Sequence, residues 1–251
     1  MSVKIAFIGA GSFGFTRTVL KDILTFPNLE DVEVALMDIS PERLEMSRAC
    51  CQKIIDAGGY PAKIRTYSSQ RKAMEGAEAV IVTILNGDTD VWKHDILIPK
   101  KYGVDICIGD TRGPSGVFRA LRTIPHMLSI CKDMTEVCPH AILLNYTNPM
   151  AMLCHAMQTV YPQLAISGLC HSVQGTANML AQWLGKTEQD MDYVAAGINH
   201  MAWYLKYEHK GRDMYPAIRK AIMTRKEVWE QSRVRNEMFL AMDYYITEGS
   251  R

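Results

Sequence analysis

The 251-residue sequence predicts an α/β protein built on a parallel sheet, and three observations carry that expectation. An apolar run, Val3 to Ile8, passes through Gly9, Gly11 and Gly14 into a helix-periodic segment and then a second apolar run ending at Asp38. Strand-like and helix-like stretches keep alternating downstream, the pattern of a sheet covered by helices. Several strand-like runs also end in short polar clusters, at the carboxyl edge where open α/β sheets bind ligands.

Val3 to Ile8 is apolar except for Lys4 and lacks Pro and Gly, as a strand covered on both faces requires. The glycines follow as G-x-G-x-x-G. Gly9 suits a tight turn, Gly11 lets the backbone approach a pyrophosphate, and Gly14 lets the next helix pack close to the strand. The helix N-terminus, with Ser12 beside it, offers N–H groups and positive potential to phosphates. Thr16 to Leu24 has helical apolar spacing, and Asp38 ends the strand Val32 to Met37, where a carboxylate can accept hydrogen bonds from an adenosine ribose. Glycines also make ordinary turns; together with strand, helix and acid they predict a Rossmann-like dinucleotide site.

Composition narrows the class. Apolar residues make up 48%, enough for a substantial core, and a net charge of +1 gives no electrostatic case for nucleic acid or an anionic membrane. The seven cysteines, at 50, 51, 107, 131, 138, 154 and 170, are odd in number and lack C-x-x-C spacing, which fits a reduced, cytoplasmic protein. The start of the chain shows no export signal and no apolar span long enough for a membrane is present.

In order, Pro41 to Ala57 reads as a helix capped by Ser40, Lys63 to Tyr67 as a strand, Gln70 to Met74 as a helix and Ala77 to Leu85 as the clearest internal strand. Asn86-Gly87-Asp88 then falls beside the Gly9 turn, placing Asn86 among the candidate cofactor contacts. Trp92 to Tyr102 reads as helix and Asp105 to Ile108 as a short strand leading into GDTRGPSG, 109 to 116, a shaped loop. It carries Asp110 and Arg112, which could meet a sugar or phosphate or form a local ion pair in a solvated turn. Arg119 and Arg122 share one face of a helix running to about Val137.

Ala141 to Tyr146 is the next strand, with Asn145 and Asn148 at its end; either can hydrogen-bond a ligand, or Asn148 can cap the helix Pro149 to Val160. Cys170 and His171 follow the strand Ile166 to Leu169 at a helix start, and His200 lies in a polar pair within the apolar pattern after Val194 to Ile198. Cysteine and histidine from separate elements can share a metal, or both can be core residues. Met214 to Tyr245 is helical, with Trp229, Met238, Phe239 and Met242 as packing positions. The division expected is an NAD-binding domain at 1–165 and a metal- and substrate-binding domain at 166–251.

FIGAGS at 7–12, ALRTIPH at 120–126, DMTEVCP at 133–139, NYTNPMAM at 145–152, GLCHSVQGT at 168–176 and AGINHMAWY at 196–204 together resemble the α-galactosidases (melibiases) of glycoside hydrolase family 4. The resemblance runs along the whole chain. CHSVQG points to the galactosidase branch, because an acidic residue usually follows the cysteine in the phospho-glucosidase branch. It implies a cytoplasmic homodimer or homotetramer that uses NAD and a divalent metal, usually Mn²⁺, to hydrolyse α-galactosides such as melibiose.

By the same resemblance Cys170 and His200 are metal ligands, His171 is the catalytic residue facing the leaving-group oxygen or its water network, and Asn148 contacts the sugar near C2 and C3; the loop reading adds Asp110 and Arg112 as substrate candidates. Gly9, Gly11, Ser12 and Asp38 hold NAD by the resemblance, and the motif and strand-end reading adds Gly14 and Asn86 to the cofactor candidates. The implied reaction takes a hydride from C3 of the galactosyl unit, removes the C2 proton, expels the C1 oxygen, adds water and returns the hydride, without an Asp/Glu pair. The pattern is expected to continue beyond Arg251 with a segment supplying the C2 base. The chain is therefore expected to be C-terminally truncated, resembling only the N-terminal half of a member, with the start of a mixed α+β catalytic domain and impaired turnover. An NAD-dependent 2-hydroxy-acid dehydrogenase and a non-catalytic NAD-binding fragment are the alternatives.

Overall fold

The computed structural model describes residues 2–106, 109 and 111–248. The described residues divide into two compact units, 2–104, 109 and 111–169 in the first, and 105–106 and 170–248 in the second.

The first unit holds six parallel strands: β1 (Lys4–Ile8), β2 (Glu33–Met37), β3 (Lys63–Tyr67), β4 (Ala79–Val82), β5 (Ile142–Asn145) and β6 (Ala165–Gly168). Their spatial order is β3-β2-β1-β4-β5-β6, so the order reverses between β1 and β4 and opens a crevice at their carboxyl ends. Ile5 to Ile8 and Val34 to Met37 are buried without interruption, as parallel strands covered on both faces require. One apolar cluster joins Phe7, Leu20, Leu24, Leu36 and Ile55; another joins Ile8, Val80, Met127, Ile130 and Leu143.

The helices of this unit are α1 (Phe13–Leu24), α2 (Pro41–Gly58), α3 (Gln70–Met74), α4 (Thr89–Lys100), α5 (Gly113–Val137) and α6 (Met150–Val160). Ser40 caps α2 by accepting from the Arg43 N–H at 3.4 Å, Pro41 occupies its first turn, and Gly59, at φ 65°, closes it in the left-handed region. Two sequence expectations are corrected here. The stretch 109–116 is not wholly a loop, because α5 begins at Gly113: Pro114 presets the first turn, and Gly116 lets the Thr111 backbone approach to within 2.9 Å of where a Cβ would stand. The N-cap position of α6 is Pro149, so Asn148 is not its cap.

In the second unit, α7 (Ser172–Trp183) precedes an antiparallel sheet of β7 (Asp192–Ile198), β8 (Met201–His209) and β9 (Arg212–Asp213), followed by α8 (Tyr215–Thr224), α9 (Lys226–Gln231) and α10 (Arg233–Met242). Its core is its own: Leu180, Trp183, Tyr204, Tyr207, Ile218, Ile222, Phe239 and Tyr245. Phe239 is fully buried as expected, whereas Met242 is 47% exposed because α10 ends there, at Asp243 with φ 62°. Among the described residues no helix is long and apolar enough to cross a membrane.

Candidate functional site

The glycine turn after β1 is fixed by its neighbours. The N–H groups of Gly9 and Ala10 both donate to the Met37 carbonyl, at 3.0 and 2.9 Å, and the Thr83 hydroxyl donates to the Gly9 carbonyl at 2.9 Å. Gly9 has φ 88°, and a Cβ there would lie 2.8 Å from the Thr83 backbone, so no other residue fits without displacement. The Gly11 N–H donates to Asp38 Oδ2 at 2.7 Å, and a Cβ at Gly11 would stand 2.6 Å from the same oxygen. Asp38 Oδ1 accepts from the Ser40 N–H at 2.8 Å. The carboxylate is thus held in place by two backbone donors, with lone pairs to spare for a ribose.

Gly14 departs from its expected purpose. A Cβ there would meet nothing within 4 Å, so close helix packing does not require this glycine. Ser12, at the N-cap of α1, makes no side-chain capping bond, and no acidic residue stands in the first turn. That leaves the helix N-terminus electropositive and its approach clear, which fits the pyrophosphate of a dinucleotide.

Asn86 is tied to α5 rather than left open. Its Nδ2 donates to the Arg122 carbonyl at 2.5 Å, while Arg122 Nε donates to the Asn86 carbonyl at 3.1 Å. The Arg122 fork also grips Asp95 on α4, at 2.9 and 2.6 Å. Asp88 caps α4, accepting from the N–H groups of Asp90 and Val91. Asn145 is fully buried and spent on its own turn: its Oδ1 accepts from the Thr147 N–H at 2.9 Å and its Nδ2 donates to the Thr147 carbonyl at 3.1 Å. Asn148 precedes Pro149 through a cis peptide, and Arg112 holds the N-cap position of α5. Asp110 lies outside the described residues, as do Cys107 and Ile108 of the expected short strand.

The second unit brings Cys170 and His200 together. His200 lies in the tight turn joining β7 to β8, where Ile198 pairs with Met201, so the polar pair interrupts two strands at a hairpin rather than sitting inside one. Its φ of 59° is left-handed, a conformation that costs a β-carbon-bearing residue about 1–2 kcal/mol and signals a surrounding structure that enforces it. The Cys170 thiol is pulled down to about 6, first by its hydrogen bond with His200 and then by Ser172, against the opposing effect of burial. The Ser172 hydroxyl lies 3.2 Å from Cys170 Sγ. By contrast, burial pushes Cys51 and Cys131 up to about 12, which marks them as inert core thiols.

His171 is exposed at the N-cap of α7, makes no capping bond, and lines a cavity of about 760 Å³ with Ser172, Thr176, Arg235, Thr247 and Glu248. Glu248 is the residue that sequence reasoning missed: its Oε2 lies 3.1 Å from His200 Nδ1. Nothing in the spacing from 200 to 248 marks that contact, which is made through tertiary packing. Among the described residues no three His, Cys, Asp or Glu side chains converge on a metal position. A thiolate-prone cysteine and an imidazole nonetheless form a donor pair suited to a divalent transition ion whose remaining positions are open to water or substrate.

The fold and site define a Rossmann-type protein with a cysteine–histidine pair on a second unit. The model of "Family 4 glycosyl hydrolase" matches residues 4–186, and that of the "Family 4 glycosyl hydrolase C-terminal domain" matches 195–251. The chain belongs to glycosyl hydrolase family 4. An α-galactosidase of Rhizobium meliloti (strain 1021) is 39% identical over 99% of this chain and 51% of its own length; one of Bacillus subtilis (strain 168) is 41% identical over 98% and 57%. The chain spans about half the length of the curated relatives it matches. A Bacillus subtilis protein described as a candidate glucosidase, lplD, superposes with a TM-score of 0.87 at 28% identity, over 99% of this chain and 61% of that one. A 6-phospho-α-glucosidase from gut microorganisms, solved in complex with NAD and Mn²⁺, superposes at 0.86 with 21% identity, over 98% and 59%.

These findings correct the expectation that the chain carries only the N-terminal part of the family pattern and the mere start of a second domain. The family's C-terminal-domain model matches 195–251, and the second unit there packs its own core instead of merely beginning a domain. The core was hidden in sequence because it joins residues far apart in the chain: Leu180 of α7, Tyr204 and Tyr207 of β8, and Tyr245 beyond α10.

Proposed function

We propose that this protein belongs to an NAD- and Mn²⁺-dependent glycosidase that hydrolyses α-galactosides such as melibiose. The observation that carries the reading is the Cys170–His200 pair, whose thiol is drawn toward the thiolate at neutral pH. Two curated α-galactosidases at 39% and 41% identity support the substrate class, and the gut 6-phospho-α-glucosidase bound to NAD and Mn²⁺ supports the cofactors.

When bound, NAD would accept and return a hydride at C3 of the sugar and the divalent ion would polarise the oxygen there, which acidifies the C2 hydrogen. The chain's own residues would bind and orient. Gly9, Gly11, Ser12 and Gly14 would cradle the dinucleotide phosphates at the α1 N-terminus, and Asp38 would receive the ribose. Cys170 and His200 would hold the ion, and His171, exposed beside them in sequence, would pass a proton to the leaving-group oxygen. A cytoplasmic, oligomeric enzyme is part of the same proposal; the free thiols among the described residues support the reducing compartment.

Hydrolysis of melibiose or p-nitrophenyl α-galactoside, measured with NAD and Mn²⁺ added separately and together, tests the reading. Release of galactose that requires both additions and is lost in Cys170→Ser supports it. Turnover that ignores Cys170→Ser removes the ligand assignment, and net NADH accumulation with a 2-hydroxy acid would replace the glycosidase by a dehydrogenase.

A further inference from the structure

We propose that Glu248 is a positioning residue that orients the His200 imidazole for metal binding, an inference that rests on the metal-ligand reading of Cys170 and His200. Glu248 Oε2 stands 3.1 Å from His200 Nδ1, at the distance of an N–H donating to a carboxylate. With Nδ1 committed, Nε2 is the imidazole's remaining ligand atom, and a carboxylate bonded to the far side of a metal-binding ring fixes both its tautomer and its orientation. Glu248 does not itself join a three-ligand cluster, since none forms among the described residues.

The segment delivering Glu248 is pinned on both sides. The Tyr204 N–H donates to the Tyr245 carbonyl at 2.9 Å, the Thr247 N–H to the Ala202 carbonyl at 2.8 Å, and the Ala202 N–H to Thr247 Oγ1 at 3.3 Å. These bonds attach it to β8, the strand that leaves His200. On the other side the Thr176 hydroxyl of α7 donates to the Thr247 carbonyl at 2.6 Å, and Arg235 Nη1 donates to Thr176 Oγ1 at 2.7 Å and to that carbonyl at 3.3 Å. Thr247 is 1% exposed. Residues 245–247 therefore bridge β8 to the helix that follows Cys170, and Glu248 reaches His200 from a fixed backbone. The left-handed φ of His200 fixes the backbone of the turn, and Glu248 restrains its ring.

Co²⁺ is the probe, because binding to a thiolate produces a sulfur-to-metal charge-transfer absorption that reports on Cys170 while a titration reports affinity. The unsubstituted protein is expected to bind Co²⁺ with that absorption, and Cys170→Ser to lose the absorption. Glu248→Ala is expected to weaken Co²⁺ about 10–100-fold with the absorption retained at saturation, and Glu248→Gln, which still accepts a hydrogen bond, to lose less. Both variants should keep the unfolding midpoint of the metal-free protein. Affinities within about twofold of the unsubstituted protein in both variants overturn the role of Glu248. Absence of Co²⁺ binding by the unsubstituted protein overturns the Cys170–His200 ligand reading and this inference with it.

Discussion

Asp95 and Arg122 form a two-pronged ion pair that locks α4 to α5, and the same guanidinium holds the Asn86 carbonyl in the loop between β4 and α4. The Asp95 side chain is only 5% exposed, and the Arg122 fork contacts both of its oxygens. Arg122→Ala strands that carboxylate and is expected to cost about 3 kcal/mol of unfolding free energy by urea titration, whereas Arg122→Ala with Asp95→Ala should recover part of it. Arg122→Lys retains the charge but not the fork. It should recover less than the double variant if geometry outweighs charge at this site.

Gly11 and Gly14 separate packing from ligand binding. Gly11→Ala drives a methyl to 2.6 Å from the carboxylate of Asp38, breaking the contact between the glycine turn and the acid, so both stability and NAD affinity should fall. Gly14→Ala meets no protein atom within 4 Å and removes a flexible residue from a helix, which should raise stability by about 0.5 kcal/mol. If phosphates occupy that open space, Gly14→Ala should still weaken NAD. Calorimetric NAD binding paired with thermal melts checks both variants, and unchanged NAD affinity in Gly14→Ala would remove Gly14 from the site.

The Cys170 thiol gives a pH signature. Its pKa is about 6 in the folded chain, lowered chiefly by the hydrogen bond with His200, against about 8.5 for a free thiol. Because the folded value is the lower one, the stability it contributes is complete above the unfolded pKa and disappears as the pH falls through about 6. In metal-free protein, iodoacetamide alkylation that is absent in Cys170→Ser should rise with a midpoint near 6. His200→Ala should move that midpoint upward. Buried Cys51 and Cys131, raised to about 12, should stay unreactive across this range.

Much of the first unit was legible in sequence because parallel strands announce themselves locally: Ile5 to Ile8 is a continuous buried run, and the glycines, Ser40 and Pro41 mark turns and caps by their own backbone chemistry. Gly14 shows the limit, since its spacing is that of a packing glycine while its surroundings are open. Asn145 and Asn86 show another, because an amide at a strand end carries no local sign of whether a ligand or the protein will use it. The second unit is the less legible of the two. The hairpin at His200 looked like a strand because apolar residues flank it on both sides, and Glu248 is brought to it only by contacts to β8 and α7 that no periodicity encodes.

Tyr204 and Tyr207 supply the last prediction. Both are buried on β8, and their hydroxyls donate to carbonyls of α7: Tyr204 to Val173, and Tyr207 to Ala177 at 2.6 Å. The first bond joins the strand beginning after His200 to the first turn after Cys170; the second lies one helical turn further along. Tyr204→Phe and Tyr207→Phe keep the ring and its packing, so each should cost only about 1 kcal/mol of stability. Their effects on Cys170 should differ. Tyr204→Phe frees the turn nearest the thiol and should raise the midpoint of Cys170 alkylation by loosening the His200 hydrogen bond, while Tyr207→Phe, with a comparable loss of stability, should leave that midpoint in place. Equal midpoints in the two variants would show that the tyrosines stabilise the unit without setting the Cys170–His200 geometry.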